Sequence, residues 1–271
     1  AGSLVSVLPR RILILAAVLA AAAAALAGCG GTSAPAPISA SARTRSVVAA
    51  FYPLAYAAQQ VGGSRVRVRD LTPAGAEPHD LELGAAGVRE ILGADLVVYL
   101  GGGFMPALED ALRSRRGPSL DVLRDGRLLA APPGPGGGAD PHVWLDPLRY
   151  AGIARAIARA LGDAAAAGPF AARLRALDRE LRRGLARCAR RDLVTSHAAF
   201  GYLVARYGLR QVPLQGLAPA AEPSGRALER LVAQVERTGA TTVFVEPLVS
   251  PRLARTVARE AGVRTAVLNP L

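Results

Sequence analysis

The sequence predicts an α/β protein of two lobes with central parallel sheets, joined by a helix and leaving ligand space between them. Three observations predict it. Short β-branched runs alternate with longer Ala, Leu and Arg segments of helical period, which is the pattern of βαβ units. After Pro147 two helical segments follow each other with no strand between, and the alternation then resumes. The chain has 271 residues, 51% hydrophobic and only 20% charged, which suffices for one large core or two modest ones and argues against wholesale disorder.

In chain order, Arg10 and Arg11 precede an apolar run from Ile12 to Ala27, shorter than the ~20 residues that span a bilayer. It closes on Leu26-Ala27-Gly28-Cys29, small residues where a peptidase would cut, so residues 1–28 read as an export signal. Gly, Thr, Ser, Ala and Pro then dominate to about Arg45, and residues 29–45 read as a flexible tether. Folding is expected to begin at Ser46. Strands are predicted at Val47–Phe51, Val66–Leu71 and Leu96–Leu100, with helices through Val61 and around Gly84–Leu92. A Pro/Gly stretch, Pro132–Gly138, breaks the pattern before the two consecutive helices, Leu148–Leu161 and the long Pro169–Arg190. Strands at Leu193–Ser196, near Val212, at Thr242–Glu246 and at Arg264–Leu268 alternate with helices through Tyr207, Ser224–Arg237 and Pro251–Ala261. The organisation is thus a first lobe at 46–168, a linking helix at 169–190 and a second lobe at 191–271. A parallel strand normally leads into another helix, so the second lobe is expected to continue past the last strand.

A net charge of +12 raises nucleic acid as a partner, because clustered cations release phosphate counterions. Here all 33 basic residues are arginine and they are dispersed, which reads as a solvated surface and not as a phosphate-binding face. Of the two cysteines, Cys29 ends the export signal and Cys188 falls in an Arg-rich helical pattern, where a structural role is expected.

The chemistry rests on three histidines. His79 lies in the loop after the second strand, His142 just past the Gly-rich break, and His197 directly after the strand ending in Thr195-Ser196. Each is flanked by turn residues and none is placed like a core residue. In open α/β sheets ligands gather at the carboxyl ends of strands, where His79 and His197 fall. Neutral imidazole suits Zn²⁺ and late transition metals, and a tetrahedral site needs one further donor, from protein or water. Glu246 and Asn269 occupy corresponding strand ends in the second lobe, although a Glu there equally serves to accept backbone amides. Asp80, Asp140 and Asp146 flank the histidines, either holding ring N–H groups or capping turns.

The motifs AFYPL (50–54), EPHD (77–80), DPHVWLDP (140–147), SHAAFGY (196–202), FVEP (244–247) and LNPL (268–271) follow the order and spacing of the zinc and manganese substrate-binding lipoproteins of ABC importers. The chain resembles a zinc member of that family from Val47 to its end. The resemblance implies two lobes bridged by a rigid long helix with metal in the cleft, His79 and His142 coming from the first lobe and His197 from the second. Manganese-type members carry a carboxylate where this chain has His197, so Zn²⁺ is expected over Mn²⁺. The tetrapeptide at Cys29 resembles a lipobox, which implies acylation of Cys29 and a lipid anchor on the extracytoplasmic side of the membrane, periplasmic or cell-surface. The implied partners are that membrane and the permease of an ABC importer, with the chain itself monomeric and binding no nucleic acid.

Two departures stand out. The His- and acid-rich loop that many zinc members carry before the second motif is replaced by Pro and Gly, and the family's acidic fourth ligand at or just after the final Pro-Leu has no counterpart before Leu271. The fourth donor is thus left open among Asn269, Glu246, water and a residue beyond Leu271. Competing readings are a manganese-preferring binding protein, a zinc hydrolase or lyase activating bound water, and a surface adhesin with structural metal. The sequence lacks an H-E-x-x-H helix or a well-placed general base, which weighs against the enzyme.

Overall fold

A computed structural model describes residues 43–124, 126–131, 138–217 and 224–271. The export signal, the tether as far as residue 42, and Cys29 lie outside the described residues. Two four-stranded sheets, parallel throughout, organise the chain. The first is ordered β2-β1-β3-β4, from β1 (Arg45–Ala49), β2 (Val66–Asp70), β3 (Leu96–Tyr99) and β4 (Ser119–Asp121). The second is ordered β6-β5-β7-β8, from β5 (Asp192–Thr195), β6 (Arg210–Pro213), β7 (Thr242–Val245) and β8 (Arg264–Val267). In each sheet the chain starts at an inner strand, adds its next strand on one side and then crosses to the other. That reversal opens a crevice at the carboxyl ends of β1 and β3, and of β5 and β7.

The helices between the strands are α1 (Tyr52–Gly62), α2 (Ala85–Gly93), α3 (Pro106–Arg113), α4 (Pro147–Ala160), α5 (Gly168–Leu185), α6 (Gly201–Tyr207), α7 (Gly225–Thr238) and α8 (Arg252–Glu260). Central strand β1 and the two residues after it include the fully buried Val47, Ala49, Ala50 and Phe51, the continuous apolar run of a sheet covered on both faces. Helix α5 buries Phe170, Ala171, Leu174 and Asp178, a stripe at helical spacing, and leaves its arginines in solvent. It joins the two sheets, as the sequence predicts, but ends at Leu185, short of Arg190; Cys188 therefore sits beyond the helix, half-buried and unpaired.

Two elements were not anticipated. Helix α3 is only eight residues long and follows three glycines, and β4 is three residues long, too short to show alternation. Together they complete the first sheet on its outer side, where β4 pairs with β3.

One core wraps the first sheet and includes Phe51, Trp144 and Phe170; a smaller one, with Val194, Val235 and Val243, fills the second lobe. Tyr202 of α6 belongs to the first core, so the second lobe sends a side chain into the first. Arg206 extends the connection by pairing with Asp146, which caps α4, and with Asp178 of α5. From the chain's end, the Pro270 carbonyl accepts the Trp144 indole N–H at 2.8 Å.

Candidate metal centre

His197 follows β5 and Glu246 follows β7, the two strands that flank the crevice of the second sheet. Their pairing places Thr195 opposite Phe244, whose carbonyl accepts the amide of the next residue, Ser196, at 3.0 Å. Glu246 consequently meets the turn bearing His197: its Oε1 accepts the Ser196 hydroxyl at 2.7 Å, and Nδ1 of His197 lies 2.8 Å from Oε1 and 2.7 Å from Oε2. A buried carboxylate at Nδ1 keeps the proton on that nitrogen and leaves the Nε2 lone pair outward. His197 Nε2 is buried and has no hydrogen-bond partner, which an imidazole in a folded core does not normally tolerate unless that lone pair serves a ligand.

His142 is built the same way from closer residues. Asp140 Oδ1 accepts the His142 amide at 2.9 Å and lies 2.8 Å from its Nδ1. The loop then makes one tight turn, Val143–Leu145, before Asp146 caps α4 by accepting the amides of Leu148 and Arg149. Burial pushes the His142 pKa below its ordinary value, while the Asp140 hydrogen bond acts to raise it.

His79 sits in a short helical turn, Pro78–Asp80, in the long loop after β2, where Glu77 accepts its amide at 3.5 Å. Its ring packs edge-on against Phe104, with centroids 4.6 Å apart. Among the described residues no carboxylate is recorded on the ring. Burial, then the neighbouring imidazoles of His142 and His197, push its pKa down to about 3. Half-buried Glu77 is shifted the other way, mainly by burial.

The three rings converge. Their centroids lie 5.4 Å apart for His142–His197, 5.6 Å for His79–His142 and 6.1 Å for His79–His197. One nitrogen from each comes within 4.8 Å of the other two, the spacing of groups that share one ion. Phe51, Phe104 and Trp144 stack beneath, His142 lying 5.3 Å from the Trp144 ring. Apolar walls raise the strength of any charge interaction made in the cleft.

All three sequence-identified histidines are therefore brought together. The expectation that none is placed like a core residue is corrected for two: His142 is 2% and His197 3% exposed. Their ring centroids approach to 5.4 Å across the two lobes, and Asp140 and Glu246 make the burial tolerable. Asp140 holds a ring N–H; Asp146 instead caps a helix and pairs with Arg206, and Asp80 is exposed. Glu246 accepts an amide, a hydroxyl and a ring N–H of the His197 turn. Asn269 is exposed and accepts the Leu271 amide at 3.1 Å. Tyr202, Gly201 and Trp144 also shape the cleft and carried no metal signal in the sequence.

Residues 47–271 match the family described as zinc-uptake complex component A, periplasmic (ZnuA). The chain belongs to this family. Among its relatives, the zinc-binding lipoprotein AdcA of Streptococcus pneumoniae is 35% identical over 257 residues, which cover 83% of this chain and 50% of AdcA. The chain thus spans about half the length of that relative. The high-affinity zinc uptake system protein ZnuA of Bacillus subtilis is 28% identical, over 94% of this chain and 87% of that protein. Among solved structures, the Zn(II)-bound ZnuA-like domain of S. pneumoniae AdcA superposes with a TM-score of 0.70 at 36% identity, covering 84% of this chain and 88% of that one. The laminin-binding protein Lmb of Streptococcus agalactiae, described as having adhesin and metal-transporting activity, superposes at 0.76 with 29% identity, covering 83% and 89%.

Proposed function

We propose that this chain is an extracytoplasmic binding protein that captures Zn²⁺ with His79, His142 and His197 and delivers it to the permease of an ABC importer. The observation that carries this is the convergence of three imidazoles, two of them with Nδ1 held by a buried carboxylate, within 4.8 Å of one another. Family membership and the zinc-bound relative support the choice of ion. Three neutral nitrogens without a hard oxygen among them also favour zinc over manganese. The fourth tetrahedral position is left to Asn269, Glu246, water or a residue beyond Leu271.

Zinc here is cargo, held and released. The buried carboxylates next to the cluster are engaged with histidine rings and are not poised over an open coordination position, which supports binding over hydrolysis. Acylated Cys29 and the segment between it and β1 would keep the two lobes at the membrane surface, within reach of the permease.

The test is a competition titration of the chain with Zn²⁺ and Mn²⁺, read by native mass spectrometry, beside a His197→Ala variant. One tightly held zinc, weak manganese and loss of tight binding in the variant are expected. No tight zinc in folded protein, or equal binding by the variant, would overturn the reading.

A further inference from the structure

Asp140, which holds the His142 ring, is itself gripped from the other lobe. Its carbonyl accepts the Tyr202 hydroxyl at 2.8 Å, and the same phenolic oxygen accepts the Leu129 amide at 2.9 Å. Tyr202 is 2% exposed, with the Arg149 guanidinium 4.8 Å from its ring centre. It stands at the start of α6, just beyond the turn that carries His197.

The preceding residue makes a second contact. A Cβ placed on Gly201 would come within 2.4 Å of Asp140 Oδ2, closer than van der Waals contact allows. Gly201 is not among the glycines with positive φ, so backbone conformation does not demand glycine there. What demands it is the approach of the Asp140 carboxylate, the group whose other oxygen lies 2.8 Å from His142 Nδ1.

We infer that Gly201 and Tyr202 are positioning residues for the histidine cluster: from the second lobe they clamp Asp140 of the first, and so fix the His142 ring relative to His197. The inference rests on the reading that these histidines hold zinc. Metal–ligand distances in well-formed sites fall within about 0.2 Å of their ideal values. A methyl group at position 201 must displace the carboxylate by more than that, or be displaced itself, and the His142 ring follows its hydrogen bond. Residues that orient a ligand's ring in this way typically change metal affinity by roughly 10- to 100-fold when altered.

The experiment compares the full chain with Tyr202→Phe and Gly201→Ala, and with Val235→Ala as a control in the second core, where Val235 is fully buried. Zinc affinity is read by competition, thermal stability by melting of the metal-free forms, and site geometry by the visible absorption of bound Co²⁺. Tyr202→Phe removes one oxygen and keeps the ring, so it decides the matter even if Gly201→Ala fails to fold. The expected result is a loss of zinc affinity of about tenfold or more in Tyr202→Phe with an altered Co²⁺ spectrum, while Val235→Ala melts lower yet binds zinc as the unaltered chain does. Unchanged affinity and spectrum in folded Tyr202→Phe, or an equal affinity loss in Val235→Ala, would overturn the inference and leave the three-histidine reading standing. Absence of tight zinc from the unaltered chain would overturn that reading itself.

Discussion

Glu246 brackets Nδ1 of His197 with both carboxylate oxygens, at 2.8 and 2.7 Å, across 49 residues of sequence. The contact is made by the β5–β7 pairing, so the strand register that builds the second sheet also selects the tautomer of a metal-site imidazole. Replacing Glu246 by Gln keeps the shape and removes the charge. Zinc affinity is expected to fall by about tenfold or more, measured by competition titration, with the fold retained in far-ultraviolet circular dichroism.

The histidines differ in what they leave behind. His142→Ala strips the ring from Asp140, whose side chain is 3% exposed, and loss of a hydrogen bond to a charged group costs about 1.5–3 kcal/mol. His79→Ala abandons no carboxylate recorded among the described residues. Both variants should lose tight zinc, but urea unfolding of the metal-free proteins should show the larger destabilisation in His142→Ala.

His79 also sets a pH dependence. Its pKa falls from the ordinary 6.5 to about 3 on folding, so between those values the unfolded chain binds a proton that the folded chain does not. Stability of the metal-free protein should therefore decline as pH drops below about 6.5 and stop responding to this group near pH 3. Melting temperatures of the metal-free protein between pH 7 and 4 should fall, and the fall should be shallower in His79→Gln.

Much of this architecture was legible in the sequence because its signals are local. The alternation of β-branched runs with helical periods located most strands and helices of both lobes, and the two consecutive helices before Arg190 marked the link. Pro and turn residues around His79 and His142 pointed to functional loops. What escaped was short or distant. Strand β4, three residues long, and the eight-residue helix α3 are too short to carry a clear pattern. The burial of His142 and His197 depends on tertiary neighbours far apart in the sequence, such as each other's rings, whose centroids lie 5.4 Å apart. Glu246 stood out as a strand-end carboxylate, but only the parallel pairing of β5 with β7 reveals that it serves the His197 turn.

A further prediction concerns the lobe connection. Arg206 pairs with Asp146 and Asp178, whose side chains are 5% and 11% exposed, and its removal leaves each with one remaining arginine, Arg149 at 3.7 Å and Arg182 at 3.5 Å. Arg206→Ala should destabilise the protein by about 1.5–3 kcal/mol, measured by chemical denaturation. Because Asp146 also caps α4, the variant should unfold with a lower midpoint without losing its zinc stoichiometry.

Zinc itself should stabilise the folded chain by mass action. At a free concentration about 100 times Kd the gain is about 2.7 kcal/mol, seen as a rise in melting temperature that grows with added metal. The metal-free form should still melt cooperatively, because the Val, Phe and Leu cores of both lobes do not depend on the ion.

We propose that one zinc is held by three imidazoles drawn from both lobes. A crystal structure of the zinc-loaded chain, with anomalous differences recorded at the zinc absorption edge, tests it most directly. The account predicts one strong peak about 2.0–2.1 Å from a ring nitrogen of each of His79, His142 and His197, with the Nδ1 contacts to Asp140 and Glu246 retained. A peak bound elsewhere, or one that leaves any of the three rings uncoordinated, would contradict it.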